Sequence, residues 1–306
     1  MNAKLGRAMA GLLLILLIAI ALLPAASSAA TLSTSIRVRD GLRVGGQSMQ
    51  RGDVDRAFAD FSRALESERQ QAADRSNRCL TDLQRSDYER ARQDCTAALE
   101  VFPNNREAYL NRGLAAYYQG DFEAAIADYN RVIQLQPSDL RAYYNRALVA
   151  FDSGNYLSAI ADYNRALTQS FPADAVTLTS IYNERGLALA QLRNIEGAIA
   201  DFSLAIRLNP KNALAYYNRA LTQQQRQQYR AAIADFSLAL YHQPNLASAY
   251  INRGLSRDRL GQHRAALQDL HLACQCLYQQ GQTSAAERVK TLMLQLRRTS
   301  FWPLIV

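Results

Sequence analysis

The side chains able to do chemistry in this chain are four cysteines, three histidines and a set of arginines, aspartates and asparagines that recur at fixed intervals. Cys274 and Cys276 stand two apart, which on a helix turns them to different sides, and Cys-x-Cys alone is a weak metal signal. His242, His263 and His271 lack the carboxylate or cysteine spacing of metal ligands and read as surface or packing residues. The chain contains no glycine-rich phosphate loop, no Gly-x-Ser-x-Gly elbow and no His-Glu-x-x-His pair. The expectation is a protein without catalytic residues, metal, cofactor or small-molecule substrate.

The polar series carry more information. Asp60, Asp94, Asp128, Asp162, Asp201, Asp235 and Asp269 keep step with Arg78, Arg112, Arg146, Arg185, Arg219 and Arg253. Asn77, Asn111, Asn145, Glu184, Asn218 and Asn252 each precede one of those arginines. The spacing is 34 residues, lengthened once to 39 by an insertion near Phe171 to Leu178. Apolar positions follow the same period: Ala57, Ala91, Ala125, Ala159, Ala198, Ala232 and Ala266 run without exception, and Phe61, Cys95, Tyr129, Tyr163, Phe202, Phe236 and Leu270 mark an apolar site four residues on. Within a copy, Tyr109, Leu114 and Tyr117, then Phe122, Ala125, Ile126, Tyr129 and Ile133, fall at helical spacing on two segments. Pro103, Pro137, Pro172, Pro210 and Pro244 end copies where a helix cannot continue. Each copy is therefore expected to be two antiparallel helices with alanines at their closest approach, and the fold class to be all-α.

This pattern resembles the tetratricopeptide repeat family, whose 34-residue helix-turn-helix carries an early aromatic (here Tyr109, Tyr143, Tyr182, Tyr216 and Tyr250), small residues at the helix crossing and a closing proline. The resemblance covers seven copies, 38–71, 72–105, 106–139, 140–173, 179–212, 213–246 and 247–280. It implies a right-handed superhelical solenoid of antiparallel helix pairs, and the segment 281–306 adds a C-terminal capping helix and an apolar tail. The first copy departs most, with Gly41, Gly45 and Gly46 in its leading helix and Arg69 where the proline belongs.

Counted back from a tight turn, each repeated arginine lies nearly opposite the aspartate of its own copy, so ion pairs Arg112–Asp128, Arg146–Asp162, Arg185–Asp201, Arg219–Asp235 and Arg253–Asp269 are expected. In the resembled family the first helices line a concave groove. The resemblance places the asparagine row, Glu184, and Leu114, Leu148, Leu187 and Leu221 on that face, with Tyr117, Tyr144, Phe151 and Tyr217 beside them. An amide carries a donor and an acceptor, which suits the backbone of an extended peptide; the alternative is a solvated surface copied by duplication. Some members grip a C-terminal carboxylate with groove lysines, but this chain has Leu110, Tyr144, Asn183 and Tyr217 there, so that mode is not expected. Cys79 and Cys95 fall one in each helix of the second copy and are candidates for a disulfide in an oxidising compartment, the alternative being two buried thiols.

Residues 1–30 read as an address. Lys4 and Arg7 precede an apolar run from Ala8 to Leu23, followed by Pro24 and small residues to Ala30, the order of a cleavable secretory signal. Sixteen apolar residues interrupted by Gly11 are short for a bilayer span of about 20. The expected destination is a periplasm or thylakoid lumen, with membrane contact only through a partner or an uncleaved signal. Removing the segment lowers the net charge from +8 to +6. Lysine occurs only at Lys4, Lys211 and Lys290. A basic excess made of arginine with periodic carboxylate partners argues against nucleic acid and for another protein or peptide as partner. The tail from Phe301 to Val306 is expected either to fold back on the capping helix or to serve as a docking peptide.

Overall fold

A computed structural model describes residues 43–44, 47–48, 51, 53–169 and 174–301. The expected signal segment 1–30 and the tail beyond Phe301 lie outside them. Among the described residues the chain is all-α with no strand. From Val54 onward the helices are α1 (Val54–Gln84), α2 (Tyr88–Val101), α3 (Arg106–Gln119), α4 (Phe122–Leu135), α5 (Leu140–Asp152), α6 (Tyr156–Thr168), α7 (Ala175–Gln191), α8 (Ile195–Leu208), α9 (Ala213–Gln225), α10 (Tyr229–His242), α11 (Ala247–Arg259), α12 (His263–Gln279) and α13 (Thr283–Phe301). No helix among the described residues is long and apolar enough to cross a membrane.

The chain divides into two compact units, Met1–Phe171 and Pro172–Val306, and the division falls in the insertion that interrupts the period. In the first unit α1 packs on α2, α3 on α4 and α5 on α6; in the second, α7 on α8, α9 on α10, α11 on α12, and α13 closes on α12. Within each unit every pair also packs on the next, which makes a solenoid stack of antiparallel pairs.

The helices start and stop where local chemistry requires. Asp87, Asn105, Asp121, Asn155, Asp174, Asn194 and Asn212 each accept a hydrogen bond from the backbone N–H three residues on, satisfying a donor that the first turn leaves open. The turn inside each pair is closed by one residue in the left-handed region: Ser86, Gly120, Gly154, Arg193, Gln227 and Gly261, with φ between 60° and 82°. Only three of the six are glycine, so the turn geometry is imposed by the packed pair rather than by residue preference.

Between the helices of each pair lies a small core. Tyr129, Tyr163, Phe202, Phe236 and Leu270 are fully buried, and so are the alanines Ala91, Ala125, Ala159, Ala198, Ala232 and Ala266. Each large side chain contributes about 1.5–3 kcal/mol by leaving water, and the alanines let the partner backbone come close enough for that to happen.

Two boundaries differ from the sequence expectation. The turn expected between the first two copies, at 71/72, does not form: α1 runs unbroken through it. With Arg69 in place of proline, the segment from Glu66 to Arg75 contains no residue that removes a backbone donor or breaks a helix. The second difference is at the insertion, where Ala175 to Leu178 add a turn to the start of α7, capped by Asp174.

Candidate functional site

The repeated arginines sit at the centre of every pair. Arg112, Arg146, Arg185, Arg219 and Arg253 each hold the aspartate sixteen residues on through Nε and Nη2, at 2.6–3.0 Å. This is a bidentate, charge-assisted contact on a nearly buried carboxylate. Hydrogen bonding to the aspartate, against the opposing effect of burial, raises the pKa of Arg112, Arg146, Arg185 and Arg219. Each guanidinium also lies 5.4–5.8 Å from the ring of the tyrosine three residues earlier.

The remaining nitrogen, Nη1, reaches back to the second helix of the preceding copy: Arg112 to Thr96, Arg146 to Asn130, Arg219 to Ser203 and Arg253 to Ser237. One arginine therefore fastens its own pair and the pair before it. Arg78–Asp94 has the same bidentate form in a more exposed setting. Asp60 has no such arginine, because the matching position is Val44; it takes Arg63 and the hydroxyl of Ser48 instead.

The proposed groove residues fall into three environments. Asn77 is exposed. Asn111, Asn145, Glu184, Leu114, Leu148, Tyr144 and Phe151 are buried. Leu114 belongs to a core cluster with Cys79, Leu83 and Leu99, and the Tyr144 ring lies 6.0 Å from that of Tyr163. These side chains sit in the seams that small residues open between adjacent helices, so they serve packing. Tyr117, Leu187, Tyr217, Asn218, Leu221 and Asn252 are half-buried and keep part of their side chains at the surface.

Neighbouring first helices are bonded along this face. In the first unit the Tyr117 hydroxyl donates to Asp152 at 2.6 Å. In the second, Asn218 Nδ2 donates to Asn183 Oδ1 at 3.0 Å, and Asn252 Nδ2 donates to the Tyr217 hydroxyl at 3.1 Å and to the Ser248 carbonyl. Asn183 in turn donates to Glu184. Glu184, which breaks the asparagine row, is thus the acidic end of a polar relay that runs from α7 to Asn218 on α9. Asn183 and Tyr217 occupy positions where a carboxylate-gripping groove would need lysine, and they bond the next helix instead. Sequence reasoning missed this use; the offset of 35 between partners, one more than the period, is its only trace in the sequence.

Cys79 on α1 and Cys95 on α2 form a disulfide with Cα atoms 5.4 Å apart. Cys274 and Cys276 are free, and His242 stacks on Tyr216. Among the described residues no cluster of His, Cys, Asp or Glu could hold a metal ion.

Comparison with known proteins agrees with this geometry. A tetratricopeptide repeat family model matches residues 80–139 and 110–175, and a second TPR repeat model matches 186–226. Among solved structures, YrrB, described as a TPR protein with an unusual peptide-binding site, is 20% identical, covering 63% of this chain and 97% of its own, with a TM-score of 0.50. PilW, a type IV pilus biogenesis factor, is 17% identical, covering 65% of this chain and 90% of its own, with a TM-score of 0.60. PilF of Pseudomonas aeruginosa is 15% identical, covering 72% of this chain and 98% of its own, also at 0.60. No curated protein matches the sequence. With the period, the paired helices and these matches in hand, the chain is a tetratricopeptide repeat protein.

Proposed function

We propose that this chain is a non-enzymatic protein-interaction scaffold that holds an extended segment of a partner protein on the first-helix face of its second unit. The observation carrying this reading is the state of Asn218 and Asn252. Both side chains are half-buried and their amide nitrogens already donate within the fold, which favours their carbonyl oxygens as the groups offered to a partner, beside Leu187, Leu221 and Tyr217. Acceptors alternating with apolar side chains suit an extended backbone that donates N–H groups and inserts every second side chain. Peptide binding is also what is named for YrrB, which shares the fold.

Export to a periplasm or thylakoid lumen is part of the proposal. The order of residues in 1–30 supports it, and a disulfide at Cys79–Cys95 fits an oxidising compartment. The partner would then be an exported or membrane-associated protein whose assembly the scaffold assists.

A second reading, a structural subunit contacting its neighbours through the second helices, draws on the exposed Leu157 of α6 and the exposed Leu238 and Tyr241 of α10. A photo-cross-linking residue at Leu221 or at Tyr241, used in an envelope fraction, separates the two. Cross-links from Leu221 that vanish when Asn218 and Asn252 are both changed to alanine, at unchanged circular dichroism, support the groove. Cross-links from Tyr241 alone overturn it in favour of the second reading.

A further inference from the structure

The second unit ends in an open cleft of about 780 Å³ between α12 and α13. Leu267, Leu272 and Met293 give it an apolar floor, Arg264 and Arg297 flank it, and no acidic side chain lines it. Neither arginine has a carboxylate partner among the described residues, in a protein whose repeated arginines are otherwise matched with aspartates. α12 and α13 run antiparallel, since Tyr278 bonds Glu287 and Cys274 bonds the Ala286 carbonyl near their connection. Phe301, one turn past Arg297, therefore lies at the His263 end of the cleft.

The next five residues are Trp302, Pro303, Leu304, Ile305 and Val306, without a polar side chain among them. A proline disfavours helix continuation and biases the residue before it toward extended backbone, so the sequence Trp302-Pro303 favours an exit from the axis of α13. The cleft runs from His263 to Leu272, about 14 Å at the helical rise per residue. Five extended residues reach about 17 Å. Segment and cleft match in starting point and apolarity, and the reach of these residues is enough to cover the cleft. An indole is also a partner suited to an unpaired guanidinium, and this protein already sets five arginines against tyrosine rings.

We propose that residues 302–306 fold back in extended form into the α12–α13 cleft, with Trp302 against Arg264 and Arg297 and the aliphatic side chains on Leu267, Leu272 and Met293. The segment thereby covers the apolar face that α12 and α13 leave open.

Trp302 is the only tryptophan, so emission of the full chain excited at the red edge, where the sixteen tyrosines do not absorb, reports this segment alone. The expected result is blue-shifted emission protected from acrylamide, which shifts red and becomes at least threefold more quenchable in Leu267→Asp and in Leu272→Asp, but not in Leu157→Asp of the first unit. Should the aspartate variants lose helix content, a chain lacking 302–306 keeps the test decisive. A synthetic Trp-Pro-Leu-Ile-Val peptide should bind that chain with a blue shift and fail to bind the full chain. Three results overturn the proposal: wild-type emission that is already red and freely quenched, emission indifferent to the cleft substitutions, or a blue shift lost on dilution, which would place the segment in a second copy.

Discussion

At the scale of single residues, the repeated arginine matters most because, at Arg112, Arg146, Arg219 and Arg253, all three nitrogens of its fork bond within the protein. Arg146→Ala would leave Asp162 nearly buried without its bidentate partner and cut the tie to Asn130. Urea unfolding should show a loss of about 3 kcal/mol. The same change at the more exposed Arg78 should cost no more than about 1 kcal/mol. Equal losses at the two sites would mean that burial does not set the strength of these pairs. Tyr129 offers the converse case. Its hydroxyl is buried without a hydrogen-bond partner, at a site where later copies carry Phe202 and Phe236. Tyr129→Phe should therefore leave stability unchanged or raise it by up to about 1 kcal/mol, since it removes a polar group that folding strips of water.

At the scale of the helix pair, the turns and caps show where the repeat is under-optimised. Arg193 and Gln227 adopt φ near 60°, where a side chain is strained and glycine is not. Arg193→Gly and Gln227→Gly should each raise stability by about 0.5–1 kcal/mol, read from the midpoint of chemical unfolding. Helices α10, α11 and α12 begin at Gln228, Leu246 and Gln262 without a side-chain cap. Gln228→Asp supplies what Asp121 supplies to α4 and should add about 1 kcal/mol. The pair was legible in the sequence because alanine and aromatic positions recur at one period. The left-handed turn was legible only where glycine marks it, as at Gly120; at Arg193 the tertiary packing overrides preference and leaves no mark. The unbroken α1 escaped notice for a related reason: a repeat boundary without proline has no local stop signal, and the chain simply continues its helix.

At the scale of the molecule, stability in each unit is a sum over neighbouring pairs rather than the property of one central core. The disulfide closes a loop of 16 residues between α1 and α2, and its removal should cost about 3 kcal/mol. Reducing agent should accordingly lower the unfolding temperature, and hydrogen exchange should locate the lost protection in α1, α2 and the adjoining α3. A loss centred on α9 to α12 would contradict nearest-neighbour behaviour. The binding face was only partly legible. The resemblance pointed to one row of side chains, and which members stay open depends on how far each sinks into the seam between first helices, as the contrast of Asn145 with Asn218 shows.

What the sequence by itself determined is the repeat: the period, the antiparallel pairing, the Arg–Asp registry and the insertion at which the chain divides. Those properties are written in spacing, and spacing survives without coordinates. Only the tertiary structure decided that the arginine also holds the preceding copy, that Glu184 anchors a relay instead of interrupting a ladder, and that half of the expected groove is packed away. Each of these turns on contacts between copies, where a fraction of a turn or an ångström of approach separates a buried side chain from one that can meet a partner.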